Sequence, residues 1–360
     1  MKPEFTLPTM NDVTRAAGTN GYTSVSTFSG CGGSSTGYKL AGFDVAYAAE
    51  FDPDAVAAYH LNYPMTPMFT EDIKNLTGEH VLRELGMEVG DLDLLEGSPP
   101  CSKFSQNGGR QKMWNQTSPA DSDTRVQTDV EDLFFEFVRL AKEIQPRMLC
   151  AENVPGLRMG TVKGYFKMIV DDLTAAGYRI AVYEVDAQWC GVPQTRRRLF
   201  FTGVRRDLPV ERIDPPVPTP YRYTMCDALP HLGEAATLHM AFGWANVKRP
   251  IACATRAAPT MTRLGMGGGA AGEAQLSNAG IADTHDDPPE VPPVGSVYDG
   301  RTIRPRFFSI PELKVLASFP ADFQLEGPWR GQWARIGNAV PPLMAQAVAE
   351  KVREALDACR

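Results

Sequence analysis

The sequence predicts an α/β protein: a doubly wound, mostly parallel sheet with helices on both faces, plus a smaller irregular domain. Three observations carry this. Short apolar or β-branched runs alternate with longer stretches of helical periodicity, as in strand–helix–strand units. Acids and Gly- or Pro-rich turns follow those strands, where open α/β sheets gather their chemistry. From about Arg205 to Gly300 the helical period is lost, prolines cluster (Pro215, Pro216, Pro218, Pro220), and small residues fill Gly265 to Gly272. The chain therefore divides into an arm over 1–21, a main domain over 22–205 plus 300–360, and an inserted domain over 206–299.

Composition narrows the classes. The 360 residues are 43% hydrophobic, enough for a sizeable core. The formal charge of −7 advertises no globally basic surface. It is unevenly spread, however: residues 196–263 hold 11 Lys/Arg against 5 Asp/Glu, whereas 273–290 hold 5 acids and no base. A basic half is what a nucleic-acid-binding face requires. The seven cysteines include no CxxC pair and no Cys/His cluster at zinc spacing, which points to reduced thiols, a cytoplasmic setting and no metal. Residues 1–20 lack a signal-peptide core, and no apolar run reaches membrane-spanning length. None of the five histidines falls in a motif-like stretch, so a Ser-His or Cys-His hydrolase is poorly supported.

In chain order, Tyr22 to Phe28 is β-branched and aromatic, a strand. Ser29-Gly30-Cys31-Gly32-Gly33 turns from it into a helix near Leu40, the layout of a nucleotide-cofactor site. Ser35 stands where G-x-G-x-x-G needs its third glycine, which weakens a pyrophosphate-binding reading. Strand Asp44 to Ala49 ends at Glu50, 20 residues after Gly30. Glu50 is either a ribose-binding carboxylate or a solvated strand-end charge. Asp52-Pro53 caps the next helix. Phe69 to Asp72 is a further strand–acid pair, able to meet an adenine amino group.

The run Leu92 to Leu95, broken by Asp93, reads as a buried strand that Gly97 and Pro99-Pro100 end sharply. Cys101 follows at its exit, either as an attacking thiol or as a small buried hydrophobe. The loop 102–127 is long and polar and contains Trp114, as either a functional lid or a disordered segment would. Asp129 caps a helix whose core face is Leu133, Phe134, Phe137, Val138, Ala141 and Ile144, stopped by Pro146. Strand Met148 to Ala151 leads to Glu152-Asn153-Val154, another acid at a strand end. A helix from about Val162 to Ala176 ends at Gly177, and strand Tyr178 to Val185 follows. Gln194-Thr195-Arg196-Arg197-Arg198 enters strand Leu199 to Val204, with Arg196 and Arg198 on one side by strand alternation. Ser309-Ile310-Pro311-Glu312 is a capping box opening a helix to Phe319. Gly337 to Pro342 reads as a tight turn into a last helix with Leu343, Val348, Val352 and Leu356 inward.

In this order Phe28-Ser29-Gly30-Cys31-Gly32-Gly33, Ser98-Pro99-Pro100-Cys101, Glu152-Asn153-Val154, Gln194-Thr195-Arg196-Arg197-Arg198 and Gly337-Asn338-Ala339-Val340 resemble the motifs of the cytosine-5 DNA methyltransferases. The separations fit: 51 residues from Cys101 to Glu152 and 44 from Glu152 to Arg196. The resemblance implies a Rossmann-like S-adenosylmethionine methyltransferase sheet, with 206–299 as target-recognition domain. It implies Cys101 as nucleophile at carbon 6 of a flipped-out cytosine, Glu152 as the acid at ring nitrogen 3, Arg198 at the exocyclic oxygen, and Arg196 holding acid and thiol in place. S-adenosyl-L-methionine, leaving as S-adenosyl-L-homocysteine, is expected against Phe28, Ser29, Gly30, Cys31, Gly32, Gly33, Glu50, Phe51, Asp72, Ile73, Pro100, Leu133, Asn338 and Ala339. Lid or DNA contacts are expected from Ser102, Lys103, Ser105, Asn107, Asn153 and Gln194, with Arg110 and Lys112 near phosphates. Ser102 departs from the glutamine that many members have there.

The expected partner is double-stranded DNA carrying a short specific site, with a cognate restriction endonuclease as a companion and the chain itself a monomer. A tRNA-modifying member of the same family, a catalytically idle DNA-binding relative and an NAD-dependent oxidoreductase are the alternatives. The separate 205–300 region disfavours the first, intact Cys101, Glu152 and Arg198 the second, and the broken glycine spacing the third.

Overall fold

A computed structural model describes residues 2–100, 133–159, 163–232, 237–238, 252–253, 257–258, 260–262, 265–266, 296–298, 301–303 and 308–360. The strands of the main sheet are β1 (Thr23–Thr27), β2 (Asp44–Ala49), β3 (Met68–Phe69), β4 (Leu94–Gly97), β5 (Met148–Asn153), β6 (Tyr178–Asp186) and β7 (Arg197–Arg205), and the α-helices preceding β6 among the described residues are α1 (Met10–Ala16), α2 (Gly33–Leu40), α3 (Pro53–Asn62), α4 (Gly78–Leu85), α5 (Leu133–Ile144) and α6 (Lys163–Ala175). They pair in the order β3-β2-β1-β4-β5-β7-β6. The first five run parallel, and β7 is antiparallel to both its neighbours. The order reverses between β1 and β4, so their carboxyl ends open a crevice at the switch point. One carries Phe28 to Gly33 and the other carries Gly97 to Pro100.

Alternation along the strands builds the two faces. Leu95, Leu149, Ala151, Leu199 and Phe201 pack with Val138 and Ile144 of α5 (Leu133–Ile144) and with Ile169 of α6 (Lys163–Ala175). Their strand neighbours Leu94, Met148, Cys150, Phe200 and Val204 face the opposite layer, with Val348, Val352 and Leu356 of the last helix, Pro342–Asp357. That helix lies on α2 (Gly33–Leu40), where a Cβ on Gly37 would stand 2.4 Å from the Pro342 carbonyl oxygen and 2.5 Å from the Ala345 Cβ. Gly97 is required for the same reason between β1 and α5, since its Cβ would meet Thr27 Oγ1 at 2.2 Å.

Three elements depart from the sequence reading. The arm contains α1 (Met10–Ala16), opened by a Thr9/Asp12 capping box. Gly337 and Asn338 are not a turn: they end the helix Trp329–Asn338, and the break is confined to Ala339–Pro341 before the last helix. Trp329, Trp333 and Ile336 bury this helix's apolar side against Phe308 and Leu313, a spacing of four and three that marked it as helical. The helix after Ser309 spans Ile310–Leu316, short of Phe319, with Ser318 at φ +62°. The Ser309/Glu312 capping box is present.

The inserted region is not wholly separate. Ile213 joins one sheet face, and Met225, Leu229, Ala258 and Met261 share a core with Phe308, Trp329 and Trp333. Short antiparallel ladders pair Thr237–Leu238 with Ala252–Cys253, Met261–Thr262 with Gly265–Met266, and Ser296–Tyr298 with Arg301–Ile303. Among the described residues, no helix is long and apolar enough to cross a membrane.

Candidate active site

Two clusters of predicted residues meet at the switch point. On one side, the turn after β1 takes three positive φ values: Phe28 at +52°, Gly30 at +54° and Gly32 at +96°. Ser29 anchors it by donating from both its amide and its hydroxyl to the Ala49 carbonyl, each at 3.1 Å. Gly32 then N-caps α2 in the left-handed region. A Cβ on Gly33 would stand 2.6 Å from the Val340 carbonyl oxygen and 2.9 Å from Ala339 Cβ. Motifs some three hundred residues apart in sequence are thus in contact, and Cys31 is buried beneath them.

Glu50 accepts three amides: Gly30 N–H at 2.8 Å, and Phe51 and Asp52 N–H at 2.9 Å each. Burial pushes its carboxyl above the ordinary range, and these hydrogen bonds pull it back in part. A carboxylate has about four acceptor sites. With three amides already bound, Glu50 has room for about one further donor such as a ribose hydroxyl, unless an amide is released. Next to it the Phe51 ring is 59% exposed, an apolar face offered to solvent at the crevice. Ile73 is buried, while Asp72 is exposed and caps the following turn through Lys74 N–H at 3.0 Å. Leu133 opens α5 half-buried, and Asn338 is exposed at the end of its helix. The left-handed glycine turn, the close approach of Gly33 to 339–340 and the exposed aromatic beside an anchored carboxylate together suit a nucleoside with a small charged tail.

On the other side, β4 and β5 end together. Glu152 faces Arg198 of β7, with Nε 2.7 Å from Oε1 and both side chains largely buried. Burial lowers the Arg198 proton affinity and Glu152 opposes that. Asn153 donates to the Pro99 carbonyl at 3.3 Å and accepts Val154 N–H at 2.8 Å. It therefore ties the exit of β4, which leads through exposed Pro100 to position 101, to the exit of β5. Cys101, Ser102, Lys103, Ser105 and Asn107 lie outside the described residues, as do Arg110, Lys112, Trp114 and Asp129.

Three of the expected site residues make internal contacts among the described residues. Arg196 does not bond the acid: its guanidinium is buried and donates to the Gly337 and Ala339 carbonyls, both at 2.9 Å, and to that of Met261. Its proton affinity falls well below normal through burial first and the neighbouring Arg198 second. It fastens the 337–339 stretch to the entry of β7. Gln194 is wholly buried, donating to Leu316 O and accepting Met261 N–H at 3.4 Å each, so it bridges elements of the fold. Asn153, 4% exposed, is likewise an internal tie.

The sequence reading missed Glu96, at the end of β4 and 2% exposed. A carboxylate in an otherwise apolar strand directly before the Gly97–Cys101 stretch was the available signal.

A family model described as C-5 cytosine-specific DNA methylase matches residues 22–354. The type II methyltransferase M.XorII of Xanthomonas oryzae pv. oryzae is 29% identical over 91% of this chain and 84% of its own length. The type II methyltransferase M1.HphI of Haemophilus parahaemolyticus is 30% identical over 92% of this chain and 86% of its own. Among solved structures, a prophage-encoded E. coli protein described as a DNA modification methyltransferase superposes with a TM-score of 0.62 at 22% identity, covering 93% of this chain and 99% of that one. The Dnmt2 methyltransferase of S. pombe gives 0.58 at 14% identity, covering 93% and 98%. At these identities the two structures speak for the fold alone.

Proposed function

From the premise that the chain belongs to the C-5 cytosine-specific DNA methylase family, and is a DNA cytosine-5 methyltransferase, we propose how its residues perform the reaction. The reading is that the chain methylates carbon 5 of a flipped-out cytosine within a short specific sequence of double-stranded DNA. The observation that carries it is the buried Glu152–Arg198 pair, tied by Asn153 to the strand exit leading to Cys101.

Cytosine carbon 5 is a weak nucleophile. Addition of the Cys101 thiolate to carbon 6 forms a C–S bond and pushes the ring electrons toward carbon 5. Charge then builds at ring nitrogen 3, which Glu152 meets with a proton or hydrogen bond. Arg198, oriented by its bond to Glu152, grips the exocyclic oxygen. S-adenosyl-L-methionine would supply an electrophilic methyl here and depart as S-adenosyl-L-homocysteine. Phe28 to Gly33, Glu50, Phe51, Asp72, Ile73, Pro100, Leu133, Asn338 and Ala339 would hold it. Loss of the carbon-5 proton to a base then restores the double bond, and the Cys101 thiolate leaves. The cytosine must leave the duplex stack first, at a cost of a few kcal/mol. Residues 206–299 would read the site, and a restriction endonuclease of the same specificity is the expected companion.

Duplex DNA carrying 5-fluorocytosine at the target tests the covalent step. Fluorine cannot leave as a proton does, so a denaturation-stable protein–DNA adduct should accumulate with wild type and not with Cys101→Ala. Steady methylation of normal DNA without any trapped adduct would remove the thiol addition from the mechanism.

A further inference from the structure

The residues entering β7 are stitched to a segment of the inserted region. Thr195 donates to the Ala258 carbonyl from its amide at 2.7 Å and from its hydroxyl at 3.0 Å, and Ala258 N–H donates to the Pro193 carbonyl at 2.8 Å. Gln194 and Ala258 form a parallel bridge, and the Thr260 hydroxyl donates to the Thr195 carbonyl. Arg196 completes the seam and extends it. Its Nη1 donates to the Met261 carbonyl, while its Nη2 donates to the carbonyls of Gly337 and Ala339. Those two lie at the end of the helix Trp329–Asn338, where a cation meets the negative end of the helix dipole. They also lie against the turn after β1, because Val340 O and Ala339 Cβ are the atoms that a Cβ on Gly33 would strike.

Joining backbones does not in itself need a charge, as neutral Gln194 beside it shows. Arg196 is 1% exposed, and its Nε has no hydrogen-bond partner. What the guanidinium adds is rigidity: its planar fork fixes the two Nη atoms relative to each other, so they cannot follow carbonyls that move apart. Displacing either segment would leave a buried cation and buried carbonyls short of partners, which is costly. The segment carrying Met261 and the 337–339 stretch therefore shift together or break the contact.

We propose that Arg196 is a positioning residue that links the two substrates: DNA held by the inserted region steadies the cofactor wall at 337–339, and cofactor at that wall steadies the segment carrying Met261. The inference rests on the function proposed above. The link passes beside the catalytic acid, since Arg198, two residues along the same backbone, pairs with Glu152. Such a link is reciprocal, and each ligand tightens the other by the same factor.

The test is the affinity for S-adenosyl-L-homocysteine by calorimetry, with and without a saturating duplex that wild type is shown to methylate. Wild type should bind about tenfold tighter with DNA present, and its DNA affinity in gel-shift titration should rise by the same factor with S-adenosyl-L-homocysteine. Arg196→Lys keeps the charge but brings one nitrogen, which cannot stand at both Nη positions, so each ratio should fall to within about twofold of unity. Thr260→Val removes one bond of the seam and leaves Arg196 in place. Its ratios should fall to about threefold, with the DNA-free affinity for S-adenosyl-L-homocysteine unchanged. A wild type that methylates DNA yet shows no such ratio would overturn the inference and leave the methyltransferase reading intact. Arg196→Lys that loses cofactor affinity equally with and without DNA would overturn it too, because a purely structural support of the wall behaves that way. Where melting shows that Arg196→Lys does not fold, Thr260→Val decides alone, and a ratio equal to that of wild type overturns the proposal. A wild type that methylates no duplex would overturn the reading above and this inference with it.

Discussion

Substitution of Gly37 by alanine tests how the two halves of the cofactor wall are held. The added Cβ would lie 2.4 Å from the Pro342 carbonyl oxygen, 2.5 Å from Ala345 Cβ and 2.6 Å from the Gln346 nitrogen. Two of those atoms are backbone, so the last helix must retreat by about 1 Å to reach van der Waals contact. Overpacking of this kind costs about 1–3 kcal/mol, and three simultaneous clashes put it at the upper end. Alanine gains about 1 kcal/mol over glycine inside a helix. Packing wins, for a net loss of about 2 kcal/mol. Because the retreating helix follows directly on Asn338–Pro341, affinity for S-adenosyl-L-homocysteine should fall as well. Gly164, in α6 with nothing within 4 Å of a built Cβ, is the control: Gly164→Ala should stabilise by up to about 1 kcal/mol. Denaturant titration and calorimetry of both variants measure this. Gly37→Ala as stable as wild type, with unchanged cofactor affinity, would refute the argument that α2 and the last helix touch at Gly37.

Three other outcomes are expected. Phe51→Ala should weaken S-adenosyl-L-homocysteine binding about tenfold by calorimetry and leave the melting temperature unchanged, because the ring is exposed and packs no core. Gln194→Ala should cost about 1–3 kcal/mol of stability by stranding the Leu316 and Met261 groups, while DNA affinity of the folded protein in gel-shift titration stays within about twofold. Glu96 is held protonated from its ordinary 4.5 up to about 7, so wild type has this stabilisation in full below pH 4.5 and loses it as pH rises to about 7. Its stability relative to Glu96→Gln should therefore fall by about 3 kcal/mol across that window and level off above it, as read by denaturation at each pH.

The strands, the turns that end them and the strand-end position of Glu152 were legible because local chemistry marks them. Asp52-Pro53, Gly177 and Ser309/Glu312 are terminal devices whose physics is contained in a few adjacent residues. The placement of β7 between β5 and β6 was not legible, since strand order depends on pairing that no local pattern records. Helix Trp329–Asn338 was overlooked because Gly337-Asn338 reads as turn chemistry, and only the Trp329/Trp333/Ile336 face shows otherwise. The family resemblance implied a lid or DNA contact for Gln194 and, for Arg196, a part in holding the acid and thiol. Their burial shows that a polar residue in a functional motif can serve the backbone of the motif beside it. Glu96 escaped notice because its meaning lies in the neighbouring strands, where Ser26, Cys150 and Glu152 give it a setting.

The central claim, site-specific methylation of cytosine carbon 5 in duplex DNA, is tested most directly by bisulfite sequencing of a long mixed-sequence DNA treated with the protein and S-adenosyl-L-methionine. The account predicts cytosines protected at one short motif by wild type, and none with Cys101→Ala. Complete conversion of every cytosine by bisulfite, in a preparation shown by calorimetry to bind S-adenosyl-L-homocysteine, would contradict it.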